Sequence, residues 1–176
     1  KKLEEQHEKL VVVIAAPYIN LVDQWENVCA EWYIPTIKLD KGWTKQIRNE
    51  ISSINQASEK RLTVFICSHS KFARDELLDE IKYCKVPTLL IVDEAAIIPN
   101  EEYFTRDLRP ALSTYKDSRC LWISTPRGKG NYLFDYYSRG DDPEFPDWGS
   151  TIHTWRSNPL LSESDINEAR KTITIN

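Results

Sequence analysis

Two adjacent carboxylates follow a short apolar run and are the strongest chemical signal in the sequence. Asp93 and Glu94 come directly after residues 89–92 (LLIV), a run that predicts a buried strand. Because neighbouring carboxylates repel each other, the pair indicates a nearby cation. In nucleotide hydrolases the first acid holds Mg²⁺ through its water shell, and the second orients the attacking water. We therefore predict Asp93 as the magnesium acid and Glu94 as the catalytic carboxylate; the alternative is a pair of acids that stabilises the start of a helix.

A second group of polar residues follows the apolar run 121–123. Ser124 and Thr125 precede a proline and the basic turn 127–130 (RGKG). Hydroxyls at a strand tip beside an acid pair can sense the γ-phosphate and report the nucleotide state to the next loop. We predict Ser124 and Thr125 as coupling residues, and Arg127 and Lys129 as contacts to DNA phosphate or to a neighbouring subunit's nucleotide. The alternative is a plain turn with a solvated basic loop.

The elements that must position these residues alternate between apolar runs and stretches of helical spacing. The runs predict strands at 11–16, 62–67, 88–92 and 120–124, with a further strand near 150–155. Helical spacing predicts helices over 19–32, 47–54, 77–81 and 103–112, and a terminal helix in which Ser162 and Asp165 form a capping box. This order predicts an α/β fold with a mostly parallel sheet and helices on both faces, in which ligands bind beyond the carboxyl ends of the strands.

Composition limits the function classes. The 176 residues are 41% hydrophobic and 28% charged, as expected for one soluble domain, and the net charge of −4 excludes a polycation that coats nucleic acid. We expect no membrane partner, since no apolar run approaches the length of a membrane span. The four cysteines lack metal-ligand spacing and are predicted to be reduced structural thiols, and the three histidines are interpreted as ordinary residues.

The stretch 91–171 resembles the ATPase domain of viral terminase large subunits, the DNA-packaging motors. The resemblance rests on DEAA-x-I-P-N at 93–100, R-P-x-L at 109–112, STPRGKG at 124–130 with the aromatic residues after it, and Asn-Pro at 158–159. It implies a P-loop NTPase-like (RecA-like) core, ATP and Mg²⁺ as cofactors, and the roles stated above for the acid pair and the Ser-Thr-Pro motif. It also implies double-stranded DNA, the portal and other terminase subunits as partners, and a cytoplasmic location, in the host cell if the protein is viral.

The segment 16–25 (APYINLVDQW) resembles the Ia segment of helicase-type translocases, which lines a groove for the DNA backbone. This resemblance implies a DNA contact at Gln24. Helicases of this kind carry a histidine after the acid pair, where this chain has Ala95 and Ala96, so the terminase interpretation leads. A helicase-type or restriction-linked translocase is one alternative, and a degenerate ATPase fold that serves as an interaction module is another.

A local excess of positive charge gives a separate indication of nucleic-acid contact. Residues 38–61 carry six basic and three acidic side chains, with one tryptophan among them. Phosphate contacts with an aromatic stacking residue fit this pattern, and a solvated helix face fits it equally well. The predicted contacts are Lys41, Trp43, Lys45 and Arg48.

The sequence contains no phosphate-binding Gly-Lys-Ser/Thr loop. The turn 127–130 does not meet the P-loop pattern, because Ile123 and Gly130 stand where a glycine and a hydroxyl are required. Both resembled families place that loop upstream of the first strand, and the chain has no methionine at all. We therefore expect the loop to be encoded upstream, the nucleotide-binding residues to be unknown in this chain, and the chain alone to hydrolyse ATP negligibly. The competing explanation is a non-hydrolysing derivative.

Overall fold

The computed structural model describes residues 7–98, 102–154, 157 and 162–172. Five parallel strands form one sheet in the order β2-β3-β1-β4-β5. The strands are β1 (Lys9–Ala16), β2 (Thr36–Lys38), β3 (Arg61–Ser68), β4 (Thr88–Val92) and β5 (Arg119–Trp122). An all-parallel sheet flanked by helices confirms the predicted α/β class and is consistent with a RecA-like core.

Seven α-helices, one 3₁₀ turn and one π-helical segment are present among the described residues. The α-helices are α1 (Ile19–Glu31), α2 (Trp43–Gln56), α3 (His69–Phe72), α4 (Asp75–Lys82), α5 (Arg109–Leu112), α6 (Tyr132–Arg139) and α7 (Glu163–Thr172). A 3₁₀ turn spans Ala95–Ile97, and a π-helical segment spans Tyr103–Leu108. None of the described helices combines the length and apolarity needed to cross a bilayer.

The central strand β1 is buried on both faces. On one face its alternate residues Leu10, Val12 and Ile14 form a cluster with side chains of α1 and β3. On the other face Val11 and Val13 are completely buried. Burial on both sides explains why β1 is a continuous β-branched run instead of an alternating one.

The strand β5 is one edge of the sheet, and among the described residues it pairs only with β4. Its Trp122 packs edge-on against Phe104, with ring centroids 4.7 Å apart. On the opposite face Leu121 and the following Ile123 are 47% and 39% exposed. The sheet therefore ends in a half-covered apolar edge.

The chain divides into two compact units, Lys1–Arg127 and Gly128–Asn176. The sheet belongs to the first unit. In the second, the Arg139 guanidinium lies over three aromatic rings, at 4.7 Å from the centroid of Tyr136, 5.2 Å from Phe145 and 5.1 Å from Trp148. Cation–π contacts of this kind hold α6 against the loop that follows it.

Several predictions of local structure are confirmed and one is wrong. Ser162 Oγ accepts the Asp165 N–H at 3.2 Å and the Ser162 N–H donates to Asp165 Oδ2 at 2.9 Å, which is the predicted capping box. Residues 150–154 are not a strand, because Ser150 donates its hydroxyl to the Tyr137 carbonyl at 2.6 Å and the segment joins no ladder. Five residues named in the predictions lie outside the described residues. Pro99, Asn100, Asn158 and Pro159 belong to the terminase-like motifs, and Trp155 belongs to the predicted strand near 150–155.

The cysteines are free thiols, as predicted. Burial raises the pKa of the Cys67 thiol to about 12 and also raises the pKa of Cys120. Both thiols are therefore protonated and unreactive at neutral pH.

Candidate active site at the carboxyl end of the sheet

Asp93 lies at the tip of β4, and hydrogen bonds hold it on four sides. Its N–H donates to the Ala15 carbonyl at 2.8 Å and so extends the ladder between β1 and β4. Its carbonyl accepts from His69 Nε2 at 2.8 Å. In the side chain, Oδ2 accepts from Trp25 Nε1 at 2.9 Å and Oδ1 accepts from the Glu94 N–H at 3.0 Å. Every polar group of Asp93 is thus bonded, which fixes the carboxylate at the end of the strand.

His69 follows β3 and reaches over the end of β1 to the Asp93 carbonyl. Burial lowers the pKa of the imidazole, and it outweighs the opposing effects of the Asp93 and Ala15 carbonyls and the Asp93 charge. The neutral ring then carries its proton on Nε2, since a carbonyl can only accept. His69 therefore links the end of β3 to the end of β4, although its sequence context predicts an ordinary residue.

Glu94 adopts the left-handed conformation, with φ 49° and ψ 43°. This region costs a residue with a side chain roughly 1–2 kcal/mol, so the surrounding structure must impose it. Glu94 precedes the 3₁₀ turn, but its carboxylate makes no capping hydrogen bond there. The interpretation of the acid pair as a helix-stabilising device therefore gains no support from Glu94.

The two carboxylates fit a magnesium ion by their chemistry, since Mg²⁺ prefers hard oxygen ligands. No group of three or more metal-binding side chains occurs within the described part of the chain. Magnesium sites in nucleotide hydrolases use one or two carboxylates and complete the shell with water and phosphate oxygens. The carboxylate of Asp93 by itself could supply the protein part of such a shell, and the magnesium site stays a prediction.

Ser124 connects the tip of β5 to the segment that follows the acid pair. The Ala95 N–H donates to the Ile123 carbonyl at 3.0 Å, and the Ala96 N–H donates to Ser124 Oγ at 3.2 Å. Thr125 is the next residue and is exposed. This second hydrogen bond joins the predicted coupling residue Ser124 to Ala96, which stands two positions after Glu94.

The predicted basic contacts of the turn 127–130 fall in different units. Arg127 is exposed and ends the first unit, while Lys129 belongs to the second. Within that second unit, Lys129 Nζ lies 5.7 Å from the centroid of the Phe134 ring. The roles of both residues stay predictions.

A groove of about 490 Å³ opens at the carboxyl ends of β1, β2 and β3. Its walls include Pro17, Lys38 and Ser68, which end or directly follow these strands, and Tyr18, Asn20, Asp40 and Lys71 from the segments after them. Lys38 forms an ion pair with Asp23, and Lys71 bonds the Leu39 carbonyl. Gln24 is exposed on α1 and is not part of the groove wall.

The basic run 38–61 is partly neutralised by the fold. Arg48 Nε lies 2.7 Å from Glu80 Oε1, and this carboxylate side chain is only 8% exposed. The Arg48 side chain is itself 70% exposed, and its two terminal nitrogens could contact a phosphate while Nε keeps the ion pair. Lys41 and Lys45 are exposed and form no ion pair with the described residues, and Trp43 begins α2 in a half-buried position. Their contact with DNA stays a prediction.

Two functional contacts were not identified from the sequence. Trp25 fits the apolar stripe of α1, and nothing in its spacing reveals that its indole N–H reaches a residue 68 positions away. His69 could have been found, because it stands two residues after the run 62–67, where ligand-binding residues of a parallel sheet are expected.

Comparison with known proteins gives one partial match. The chain is 43% identical over 88 residues to the terminase large subunit of Escherichia phage T5. The match covers 49% of this chain and 20% of that protein, so the chain spans only a small part of the relative's length. No family model matches the sequence, and no solved structure matches it. The comparison supports a terminase-like protein.

Proposed function

We propose that this chain forms part of the ATPase region of a DNA-packaging terminase large subunit. The observation that carries the proposal is the acid pair at the carboxyl end of β4, in which Asp93 is bonded on four sides and Glu94 is held in a strained conformation. Sequence similarity to a terminase large subunit supports this choice among nucleotide-hydrolase functions. The expected cofactors are ATP and Mg²⁺.

In this proposal Asp93 binds the hydrated magnesium ion and Glu94 acts on the attacking water. Magnesium, when bound, would neutralise negative charge on the nucleotide phosphates. Asp93 suits its role because its carboxylate is fixed by two donors while each oxygen retains a free lone pair. Glu94 suits its role because its carboxylate is not engaged in capping and can accept a hydrogen bond from water.

The proposed partners are double-stranded DNA, the portal and other terminase subunits, and the proposed location is the host cytoplasm. The support is the similarity to a phage terminase, together with a groove whose walls carry Lys38, Ser68 and Lys71. Lys38 is paired with Asp23 and Lys71 with Asp40, so each lysine would exchange a carboxylate partner for a phosphate. Hydroxyl and ammonium groups of this kind bind phosphate oxygens without reading sequence. Lys41 and Lys45 follow the groove residue Lys38 within seven positions of the sequence and are further candidates for phosphate contacts.

A helicase-type translocase is the second candidate. The observation that favours it is that Pro17, Tyr18 and Asn20, from the Ia-like segment, line the groove. In both candidates the acid pair has the same role. The rest of the protein that carries this chain distinguishes them, since a ribonuclease-H-like nuclease domain favours the terminase and a second helicase lobe favours the translocase.

The test uses a protein that contains this chain together with a phosphate-binding loop. We expect Glu94→Gln to lower ATP hydrolysis at least 10²-fold, the usual contribution of a general base, with nucleotide binding unchanged. We expect Asp93→Asn to weaken Mg²⁺-dependent nucleotide binding. Steady-state hydrolysis and equilibrium binding of a fluorescent ATP analogue measure the two effects.

Glu76→Gln is the matched control, since Glu76 is an exposed acid in the first turn of α4 and its change removes the same charge. It should leave both measurements unchanged. Hydrolysis within a few-fold of the parent in both Glu94→Gln and Asp93→Asn would refute the proposed role of the acid pair.

A further inference from the structure

The indole of Trp25 is the one side chain that donates a hydrogen bond to the Asp93 carboxylate among the described residues, at 2.9 Å from Oδ2. We propose that Trp25 is a positioning residue that sets the orientation of this carboxylate for the cation. The inference rests on the proposed function, because it assigns a role relative to the same acid pair. It adds a residue on α1 to a site that otherwise consists of strand ends.

Two donors on two different oxygens define the plane of a carboxylate. The Glu94 N–H bonds Oδ1 at 3.0 Å, but this bond comes from the next residue in the chain and moves with the same backbone. The Trp25 bond comes from a different element, so it fixes the carboxylate relative to the sheet. Each oxygen can still accept a second hydrogen bond, for example from a metal-bound water.

Trp25 is itself held in place by the core. Its ring packs against the cluster that α1 forms with β1 and β3, where Val22 and Cys29 of the same helix are buried. This packing holds the indole N–H in a fixed position, as required of a group that orients a metal-binding carboxylate. The helix that carries it begins at Ile19, directly after the groove residues Pro17 and Tyr18.

A tryptophan that only fills space would predict a different outcome. Trp25→Phe retains an aromatic ring for packing and removes the N–H, so it separates positioning from packing. Trp32→Phe is the matched control, since Trp32 caps the carboxyl end of α1 and is 62% exposed.

The first measurement is made on this chain with ¹⁵N-labelled indoles. The six tryptophans should give six indole resonances, and the one absent from Trp25→Phe identifies Trp25. Asp93→Ala should shift this resonance more than the other five. The unshifted resonances also show that each variant is folded.

The second measurement is the affinity for Mn²⁺ with a non-hydrolysable ATP analogue bound, in a protein that contains this chain together with a phosphate-binding loop, because phosphate oxygens complete the metal shell. It uses paramagnetic broadening of the Trp25 resonance in that parent protein and electron paramagnetic resonance of free Mn²⁺ in all variants. Trp25→Phe should weaken Mn²⁺ binding about tenfold, as is usual for groups that orient a metal ligand. Trp32→Phe should leave the affinity unchanged. In the Asp93→Asn background Trp25→Phe should have no further effect, because it acts through that carboxylate.

The outcomes distinguish the two proposals. Weaker binding in Asp93→Asn together with unchanged binding in Trp25→Phe would overturn the positioning role and leave the acid pair intact. Mn²⁺ binding that is absent, or equal in the parent and in Asp93→Asn, would refute the cation site and the positioning role with it.

Discussion

Glu94 illustrates how a single residue can serve the site at a cost to the fold. Its left-handed backbone is a conformation that glycine adopts without penalty, yet the position holds a residue with a long side chain. Strain of this kind persists where the surrounding structure imposes it, and it occurs preferentially at functional sites. A glycine at this position would avoid the strain but would lack the carboxylate.

We expect Glu94→Gly to raise the free energy of unfolding by about 1 kcal/mol, because it removes the left-handed penalty. The same change should abolish hydrolysis in a protein that carries the phosphate-binding loop. Urea unfolding of this chain measures the stability. Glu94→Ala is the control, since it removes the carboxylate but keeps the strain, and an equal gain in both variants would contradict the explanation.

The chemistry of individual residues was predictable where it depends on local sequence. The acid pair stands directly after an apolar run, and Ser162 precedes Asp165 at capping-box spacing, so both could be inferred. The bonds of Asp93 to Trp25 and His69 could not, because they join residues 68 and 24 positions apart and depend on how α1 and β3 pack against β1.

At the scale of elements, hydrogen bonds connect the tips of β4 and β5. The Ile123 N–H donates a hydrogen bond to the Val92 carbonyl at 2.9 Å, and the Ser124 hydroxyl accepts from the Ala96 N–H in the 3₁₀ turn after Glu94. These bonds join the segment after the acid pair to the residues just before Thr125. The coupling role of Ser124 and Thr125 stays a prediction.

The coupling role can be tested at Thr125 in a packaging-competent protein that contains this chain. Thr125→Ala should leave ATP binding intact and lower DNA packaging much more than basal hydrolysis, because the lost hydroxyl links two sites and belongs to neither. The ratio of packaging rate to hydrolysis rate is the measurement. Thr125→Ser keeps the hydroxyl and should restore the ratio, whereas an unchanged ratio in Thr125→Ala would remove the coupling role.

The elements that the sequence predicts well are those with long apolar patterns. The strands β1, β3 and β4 and the helices α1, α2 and α4 fall where runs and helical spacing place them. The strand β2 was missed because three residues are too few to show alternation. The helix α6 was missed because its aromatic residues form part of a motif, and its capping residue Asn131 lies among glycines.

On the scale of the whole molecule, the unit boundary falls inside the motif 124–130. The hydroxyls of Ser124 and Thr125 belong to the unit that contains the sheet, and Lys129 belongs to the other. The sequence predicts a single domain, and this stays a prediction.

The exposed edge at β5 should influence how copies of the chain associate. Exposed apolar side chains on an edge strand favour strand addition between molecules. We expect Leu121→Lys to lower self-association at high concentration, because a charged side chain disfavours edge pairing. Sedimentation velocity over a concentration series measures the effect, and Ile152→Lys, an equal charge change at a residue 62% exposed in the second unit, should have little effect. Equal effects of both changes would assign the association to general charge.

The position of that edge also determines what can be added to the site. Parallel strands end on the same side of a sheet, and neighbouring strands lie about 4.8 Å apart. A strand that joined β5 in parallel would therefore deliver the loop at its end beside Thr125, one strand beyond the acid pair. Within the described part of the first unit β5 pairs only with β4, so a segment added at this edge would leave the four bonds that hold Asp93 unchanged.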